Sequence, residues 1–200
     1  MLGIEDSLRA SGLSRIAGVD EAGRGPCAGP LVIAAVILKD PYSSGLHRVR
    51  DSKAIGEVER EELFDRVIAA AECYSIIEVT PEEIDHKGLH RSNLEAMRRA
   101  INSLNCSPEY VLTDGYAIAG LGFPSLAVWK GDQVAISISS ASILAKVYRD
   151  RIMRQMDLKY PGYGFARNKG YATAAHTCAL RELGVTEIHR RSFANIAALS

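Results

Sequence analysis

Gly18-Val19-Asp20-Glu21-Ala22-Gly23-Arg24-Gly25-Pro26 joins the end of an apolar run to two adjacent carboxylates and then to an arginine framed by glycines. That order describes a strand that delivers acids to a loop lined by backbone. Neighbouring side chains of a strand point to opposite faces, so Asp20 and Glu21 can share a site only where the strand breaks into the loop. Gly23 and Gly25 allow another molecule close to the backbone amides, and Arg24 offers a planar fork for phosphate. Spacing alone leaves a second reading equally open, a polar hairpin tip with a surface ion pair.

Outward from this stretch, residues 15–20 and 30–38 are rich in Ile, Val, Ala and Leu and are separated by the Gly/Pro turn, which predicts two neighbouring strands. The second run is apolar on both faces and belongs inside a covered sheet. Asp51-Ser52-Lys53 lies in a polar connection. Leu63, Val67 and Ala70 then mark an amphipathic surface helix over residues 56–71. Residues 73–79 read as a third strand, and Thr80-Pro81-Glu82-Glu83 as a helix start with Thr80 as N-cap. A helix over 89–104 carries Leu94, Met97 and Ile101 on one stripe. Short strands at 110–113 and 126–129 each end near an acid, at Asp114-Gly115 and Gly131-Asp132.

The clearest helix covers 139–156, with Leu144, Tyr148, Ile152 and Met156 at intervals of four and Ser139 or Ser140 available as caps. A helix over 173–183 and the tail His189-Arg190-Arg191-Ser192-Phe193 complete the chain. This order predicts an α/β fold, a sheet covered by helices with acids at strand ends.

Two hundred residues, 47% of them hydrophobic, suffice for one domain spanning 1–200, with a sheet core over about 15–140 and a basic helical extension over about 141–200. Residues 1–140 hold 14 Lys/Arg against 20 Asp/Glu, and residues 141–200 hold 10 against 4. An acidic body joined to a basic segment suits a metal site beside a polyanion-binding surface. Residues 1–14 carry Glu5, Asp6 and Arg9, so no signal peptide is expected, and the run 31–38 is too short to span a bilayer. Cys27, Cys73, Cys106 and Cys178 form no C-x-x-C pair, which predicts thiols in a reducing cytoplasm, without zinc or disulfides.

Asp20, Glu21, Asp114 and Asp132 supply oxygen ligands of the kind that suit Mg²⁺ or Mn²⁺. Each Asp-Gly or Gly-Asp step is also ordinary turn chemistry, and only their joint placement after apolar strands favours a site. His86 and His90 stand four apart, but Gly88 separates them and no H-E-x-x-H is formed. Neither G-x-G-x-x-G nor a P-loop lysine is present, which argues against a dehydrogenase or an ATPase. Ser142 misses the S-x-x-K spacing to Lys146 by one residue.

These pieces, in this order, resemble the ribonuclease HII family. The stretch from Gly18 to Pro26 matches, as do Asp51-Ser52-Lys53, Thr113-Asp114-Gly115, Lys130-Gly131-Asp132 and the run from Ser140 to Asp150. Tyr163-Gly164-Phe165, Lys169-Gly170-Tyr171 and His189-Arg190-Arg191-Ser192-Phe193 complete the set, so the likeness covers about residues 15–195. It implies a ribonuclease H-like fold, a mixed sheet flanked by helices with a C-terminal helical extension. It implies hydrolysis of the RNA strand of RNA–DNA hybrids and incision 5′ of a single ribonucleotide in duplex DNA. By position, Asp20, Glu21, Asp114 and Asp132 resemble the catalytic acids that hold two Mg²⁺ or Mn²⁺ ions. Gly23, Arg24 and Gly25 resemble the loop that reads the 2′-hydroxyl and neighbouring phosphates, and Tyr171 the residue that stacks on the junction sugar.

Lys146 and Arg149 are expected to face the phosphate backbone from the long helix. Asn168 stands where many relatives carry a histidine. The tail after Phe193 lacks the pattern used to dock on sliding clamps, and a monomer is expected. Two other readings compete: a different ribonuclease H-fold nuclease that would cut all-DNA substrates, and a non-catalytic hybrid-binding module that would tolerate loss of the acids.

Overall fold

The computed structural model describes residues 3–42, 44–46, 48–49 and 56–199, so Asp51-Ser52-Lys53 lies outside the described residues. In chain order the elements are α1 (Ile4–Ala10), β1 (Ile16–Ala22), β2 (Leu31–Leu38), α2 (Glu57–Ala70), β3 (Ala71–Val79), α3 (Pro81–Lys87), α4 (Leu89–Asn102), β4 (Tyr110–Asp114) and β5 (Ser125–Val128). The short α5 (Gly131–Val134), the long α6 (Ile136–Lys159), α7 (Phe165–Asn168), α8 (Ala174–Leu183) and α9 (Ala194–Ala197) follow.

The sheet runs β3-β2-β1-β4-β5. β1 to β3 form an antiparallel meander, while β4 and β5 lie parallel to β1. The carboxyl ends of β1, β4 and β5 therefore share one edge, and that is where the acids stand. All eight residues of β2 are buried, as its continuous apolarity predicts. One face of the sheet packs Val32, Ala34 and Val36 against Leu63, Phe64 and Val67 of α2 and Ile143, Leu144 and Val147 of α6. The other packs Ile33, Ala35 and Ile37 against Ile84 of α3 and Ala96, Met97 and Ala100 of α4. Thr80 caps α3 as its sequence predicts, accepting the Glu83 N–H at 3.1 Å.

Three expectations are corrected. The long helix begins at Ile136, and neither Ser139 nor Ser140 caps it, since both are buried within its first turns. The cap comes from a distant residue: Glu5 of α1, 3% exposed, accepts both the Ser137 N–H and its hydroxyl at 3.1 Å. A carboxylate at the positive end of a helix is favourable, and the start of α6 is too buried for water to serve instead. The serines are small because α6 crosses β1 closely, and a methyl group on Gly18 would overlap the Ser137 backbone.

Secondly, the cysteines are not all thiols. Cys73 of β3 and Cys106, in the turn after α4, form a disulfide with Cα atoms 6.2 Å apart, while Cys27 and Cys178 are free. The pairing joins residues 33 apart that meet only once α4 folds back on the sheet, which no local spacing announces. Thirdly, Arg149 does not face solvent. It is 1% exposed, in the buried stripe Ala141-Ala145-Arg149-Met153 beside the predicted one.

Candidate active site

β1 carries both leading acids. The strand extends through Ala22, so Asp20 and Glu21 lie in regular strand conformation rather than at a break. Asp20, 5% exposed, turns toward α6, where the Ser142 hydroxyl hydrogen-bonds it, and its Oδ1 accepts the Glu21 N–H at 2.7 Å. Glu21 reaches the groove beside the loop, and its Oε1 stands 3.5 Å from the Arg24 guanidinium. Asp114 ends β4, and its Oδ1 accepts the Gly131 N–H at 2.7 Å, tying the start of α5 to the acid turn. Asp132, 3% exposed, lines the same concavity as Glu21 and Asp114.

Asp20, Glu21 and Asp114 stand close enough to repel one another. Burial pushes the Asp20 carboxyl well above its ordinary range, and the negative charges of Glu21 and Asp114 add to this. Glu21 is raised to about 7, first by burial and then by Asp114, against the opposing pull of Arg24. Like charges gathered in a site of low polarity cost free energy unless a cation or proton joins them. Glu21 Oε2 is buried without a hydrogen-bond partner among the described residues. An orphaned carboxylate oxygen among mutually repelling acids fits a divalent cation. Among the described residues no three acid, histidine or cysteine side chains stand together closely enough to hold a metal ion by themselves. Mg²⁺ does not need such a group, because it keeps several waters and takes substrate oxygens as further ligands.

Two buried guanidinium groups build the loop, and the sequence reading missed their role. Arg149 donates to the carbonyls of Pro30 (2.9 Å), Ala28 (3.1 Å) and Lys169 (2.9 Å). Arg190, fully buried, donates to those of Gly29 (3.0 Å), Arg24 (3.3 Å) and Gly23 (2.6 Å). Burial lowers them to about 10 and about 9, so both stay charged at neutral pH. A planar trans peptide points its N–H opposite to its carbonyl. With the Gly23 and Arg24 carbonyls drawn toward Arg190, the N–H groups of Arg24 and Gly25, two residues that line the groove, face away from Arg190. Gly23 has φ of +100°, and a methyl group there would overlap the Arg149 side chain. Helical spacing could have placed Arg149 inside, since it stands four residues from both Ala145 and Met153. Arg190 carried no local signal.

A groove of about 430 Å³ holds Glu21, Gly23, Arg24, Gly25, Lys146 and Tyr171, so the structure gathers these predicted residues on one surface, together with Ser142, which was not among them. Tyr171 is half exposed, and a methyl group on Gly25 would come within 3.2 Å of its ring. Lys146 lines the groove but is bridged to Asp150 at 2.6 Å, and burial lowers its pKa. Arg24 lies over the Tyr116 ring, 4.5 Å from its centroid, and donates to the Tyr116 hydroxyl, a partner the sequence reading did not find. Asn168 holds the turn before Tyr171: its Oδ1 accepts the Gly170 N–H at 2.8 Å and its Nδ2 donates to the Tyr163 carbonyl at 2.7 Å.

A mixed five-stranded sheet between helices, with carboxylates at the shared edge of its parallel strands, defines the ribonuclease H-like class. Comparison with known proteins narrows this. Residues 17–196 match the ribonuclease HII family, and the chain belongs to it. It is 51% identical over 197 residues to the ribonuclease HII of Salinispora tropica, covering 98% of this chain and 73% of that protein. The crystal structure of ribonuclease H2 from Pyrococcus horikoshii superposes with a TM-score of 0.84 at 31% identity, covering 92% of this chain and 96% of the other. The ribonuclease HII in the PCNA complex from Archaeoglobus fulgidus gives 0.77 at 27% identity, covering 90% and 95%. The chain is thus a type 2 ribonuclease H, a metal-dependent endoribonuclease acting on RNA–DNA hybrids. Among the described residues, no helix is long and apolar enough to cross a membrane.

Proposed function

We propose that the chain incises duplex DNA on the 5′ side of a single embedded ribonucleotide, as well as cutting the RNA strand of longer hybrids, and leaves 3′-hydroxyl and 5′-phosphate ends. The observation that carries this reading is the anchoring of the Gly23 and Arg24 carbonyls by Arg190, which turns the Arg24 and Gly25 N–H groups away from it, in a loop that lines the groove beside Glu21. At one nucleotide only the 2′-hydroxyl distinguishes RNA from DNA, and fixed backbone donors backed by glycine can reach it.

In this reading Asp20, Glu21, Asp114 and Asp132 hold two Mg²⁺ or Mn²⁺ ions. Cations bound there supply Lewis acidity, acidifying water and stabilising negative charge on the departing 3′-oxygen. The chain's own groups do the rest. Arg24 leaves Tyr116 and Glu21 for a substrate phosphate, which frees the Glu21 carboxylate. Tyr171 packs on the sugar at the junction, and Lys146 exchanges Asp150 for the phosphate backbone. One copy of the chain carries every group invoked, consistent with a monomer.

The test is cleavage in Mg²⁺ or Mn²⁺ of duplex DNA carrying one ribonucleotide, beside an all-DNA duplex and an RNA–DNA hybrid. Incision 5′ to the lone ribonucleotide with the all-DNA duplex intact is expected. Cutting of the hybrid alone would remove the junction role from Tyr171 and the glycine loop, and cutting of the all-DNA duplex would remove 2′-hydroxyl recognition.

A further inference from the structure

The groove does not end at the acids. A second concavity, lined by Asp114, Tyr116, Trp129, Lys130 and Asp132, shares Glu21 and Arg24 with the first as a common wall. Tyr171 stands in one and Trp129 in the other, with Glu21 and Arg24 on the wall they share and Asp114 and Asp132 beside Trp129. Trp129 is 82% exposed. A large aromatic left in water beside a charged groove forgoes most of the stabilisation its burial would bring.

The backbone around Trp129 is anchored on both sides to the acid turn. Before it, the Val128 carbonyl accepts the Gly115 N–H at 3.0 Å; after it come Lys130 and the Gly131 N–H, which bonds Asp114 Oδ1 at 2.7 Å. Lys130 bends the chain with φ of 53°, a left-handed conformation that a side chain makes unfavourable. The bend lets Gly131 pass against Ile138, where a methyl group would overlap it. Trp129 and Lys130 are therefore a two-residue projection with a fixed base and exposed side chains. Lys130 has no carboxylate partner among the described residues.

We propose that Trp129 and Lys130 form a second nucleic-acid contact, on the side of the acid cluster away from Tyr171. The indole packs on a base or sugar of the strand passing over Asp114 and Asp132, and Lys130 meets a neighbouring phosphate. Stacking of this kind is indifferent to sequence, as every base has a π-face. With Tyr171 it holds the strand at two points across the scissile bond. The contact rests on the substrate reading given above.

Trp129 is the chain's only tryptophan, so its emission reports on this position alone. The Asp114→Asn chain in Mg²⁺ and the unmutated chain in EDTA are titrated with an RNA–DNA hybrid. Tryptophan emission is followed on unlabelled hybrid and anisotropy on a fluorescein-labelled one. The expected result is an emission change that saturates with the anisotropy, a roughly tenfold weaker Kd for Trp129→Ala and recovery of most of that loss in Trp129→Phe. Lys130→Ala lowers the slope of log K against log salt by about one. Binding with unchanged emission, and a Trp129→Ala Kd within about twofold, overturns the contact while the substrate reading stands. No anisotropy rise in either form also overturns it, and the cleavage assay on the same preparation then judges the substrate reading separately.

Discussion

The imidazole rings of His176 and His189 meet Nε2 to Nε2 at 3.1 Å, inside a cluster with Tyr163 and Phe165, and the groups at either end fix which nitrogen carries each proton. The Thr186 N–H donates to His189 Nδ1 at 3.0 Å, which leaves the His189 proton on Nε2. That proton is donated to His176 Nε2. The remaining His176 proton, on Nδ1, is donated to the Tyr171 carbonyl at 2.9 Å. The run of bonds ends on the backbone of the residue assigned to the junction sugar, and it requires both rings neutral.

Stability should therefore depend on these rings below neutral pH. Burial, then His176 and Arg191, lowers His189 to about 4, and burial lowers His176 as well. The unfolded chain, with histidines near 6.5, binds protons that the folded one refuses. Their contribution is complete above about pH 6.5 and is lost progressively as pH falls toward about 4, at no more than about 1.4 kcal/mol per pH unit for each ring. Urea unfolding of the wild type and of His176→Gln/His189→Gln at pH 7.5 and 5.0 should show a smaller gap between them at the lower pH. A gap independent of pH would mean that the rings are not held neutral.

Arg190 should matter more than its neighbour Arg191. Three loop carbonyls depend on its guanidinium, and removing it leaves buried acceptors unsatisfied. Arg190→Met is expected to cost about 2–4 kcal/mol in denaturant unfolding and to reduce kcat/KM at a single ribonucleotide. Arg190→Lys should recover little of either, because an ammonium cannot span three carbonyls set for a fork. Arg191→Ala should leave stability within about 0.5 kcal/mol. Equal effects of the two substitutions would dismiss the loop-orienting role.

These buried contacts mark the limit of what the sequence disclosed. β2 was legible because eight consecutive apolar residues leave no solvated face, and α3 because Thr80-Pro81-Glu82-Glu83 encodes its own cap. Asp114 was legible because β4 ends at it, whereas Asp20 and Glu21 lie within β1 and Asp132 in α5, so no strand end announced them. The start of α6 was not legible, since its cap is Glu5, 132 residues away. Nor were the buried guanidiniums, because an arginine's charge reads as surface until carbonyls are brought around it by tertiary folding. Gly18 looked like an unremarkable strand residue, yet it is where α6 touches the sheet. Gly18→Ala should cost about 1–3 kcal/mol or more in unfolding free energy through overpacking, and a neutral result would mean that α6 can move away from the sheet.

The Cys73–Cys106 bond closes a chain segment of 33 residues that contains α3 and α4. In the chain-entropy description a loop of that length stabilises the fold by about 3–4 kcal/mol, through restriction of the unfolded state. Dithiothreitol should lower the urea midpoint of the wild type and leave that of Cys73→Ala/Cys106→Ala unchanged. If reductant shifts neither midpoint, the bond contributes nothing in solution.

Glu21 should trade stability against metal binding. Its carboxyl, raised to about 7 by burial and by Asp114, is held in an ionised form the fold disfavours above that pH. The sign follows from linkage: a folded pKa above the unfolded one near 4.3 means that the metal-free fold loses stability as pH rises from about 4 to 7. Glu21→Gln removes the charge and nearly keeps the shape. In EDTA at pH 8 it should be more stable than the wild type by about 1–3 kcal/mol, less whatever its pairing with Arg24 contributes. With Mg²⁺ the order should narrow or reverse, because the cation stabilises the wild-type carboxylates by mass action and the glutamine supplies no charge. Melting temperatures of both proteins, with and without Mg²⁺, decide the matter. A Glu21→Gln protein that melts lower in EDTA, yet gains as much from Mg²⁺ as the wild type does, would remove Glu21 from the metal site.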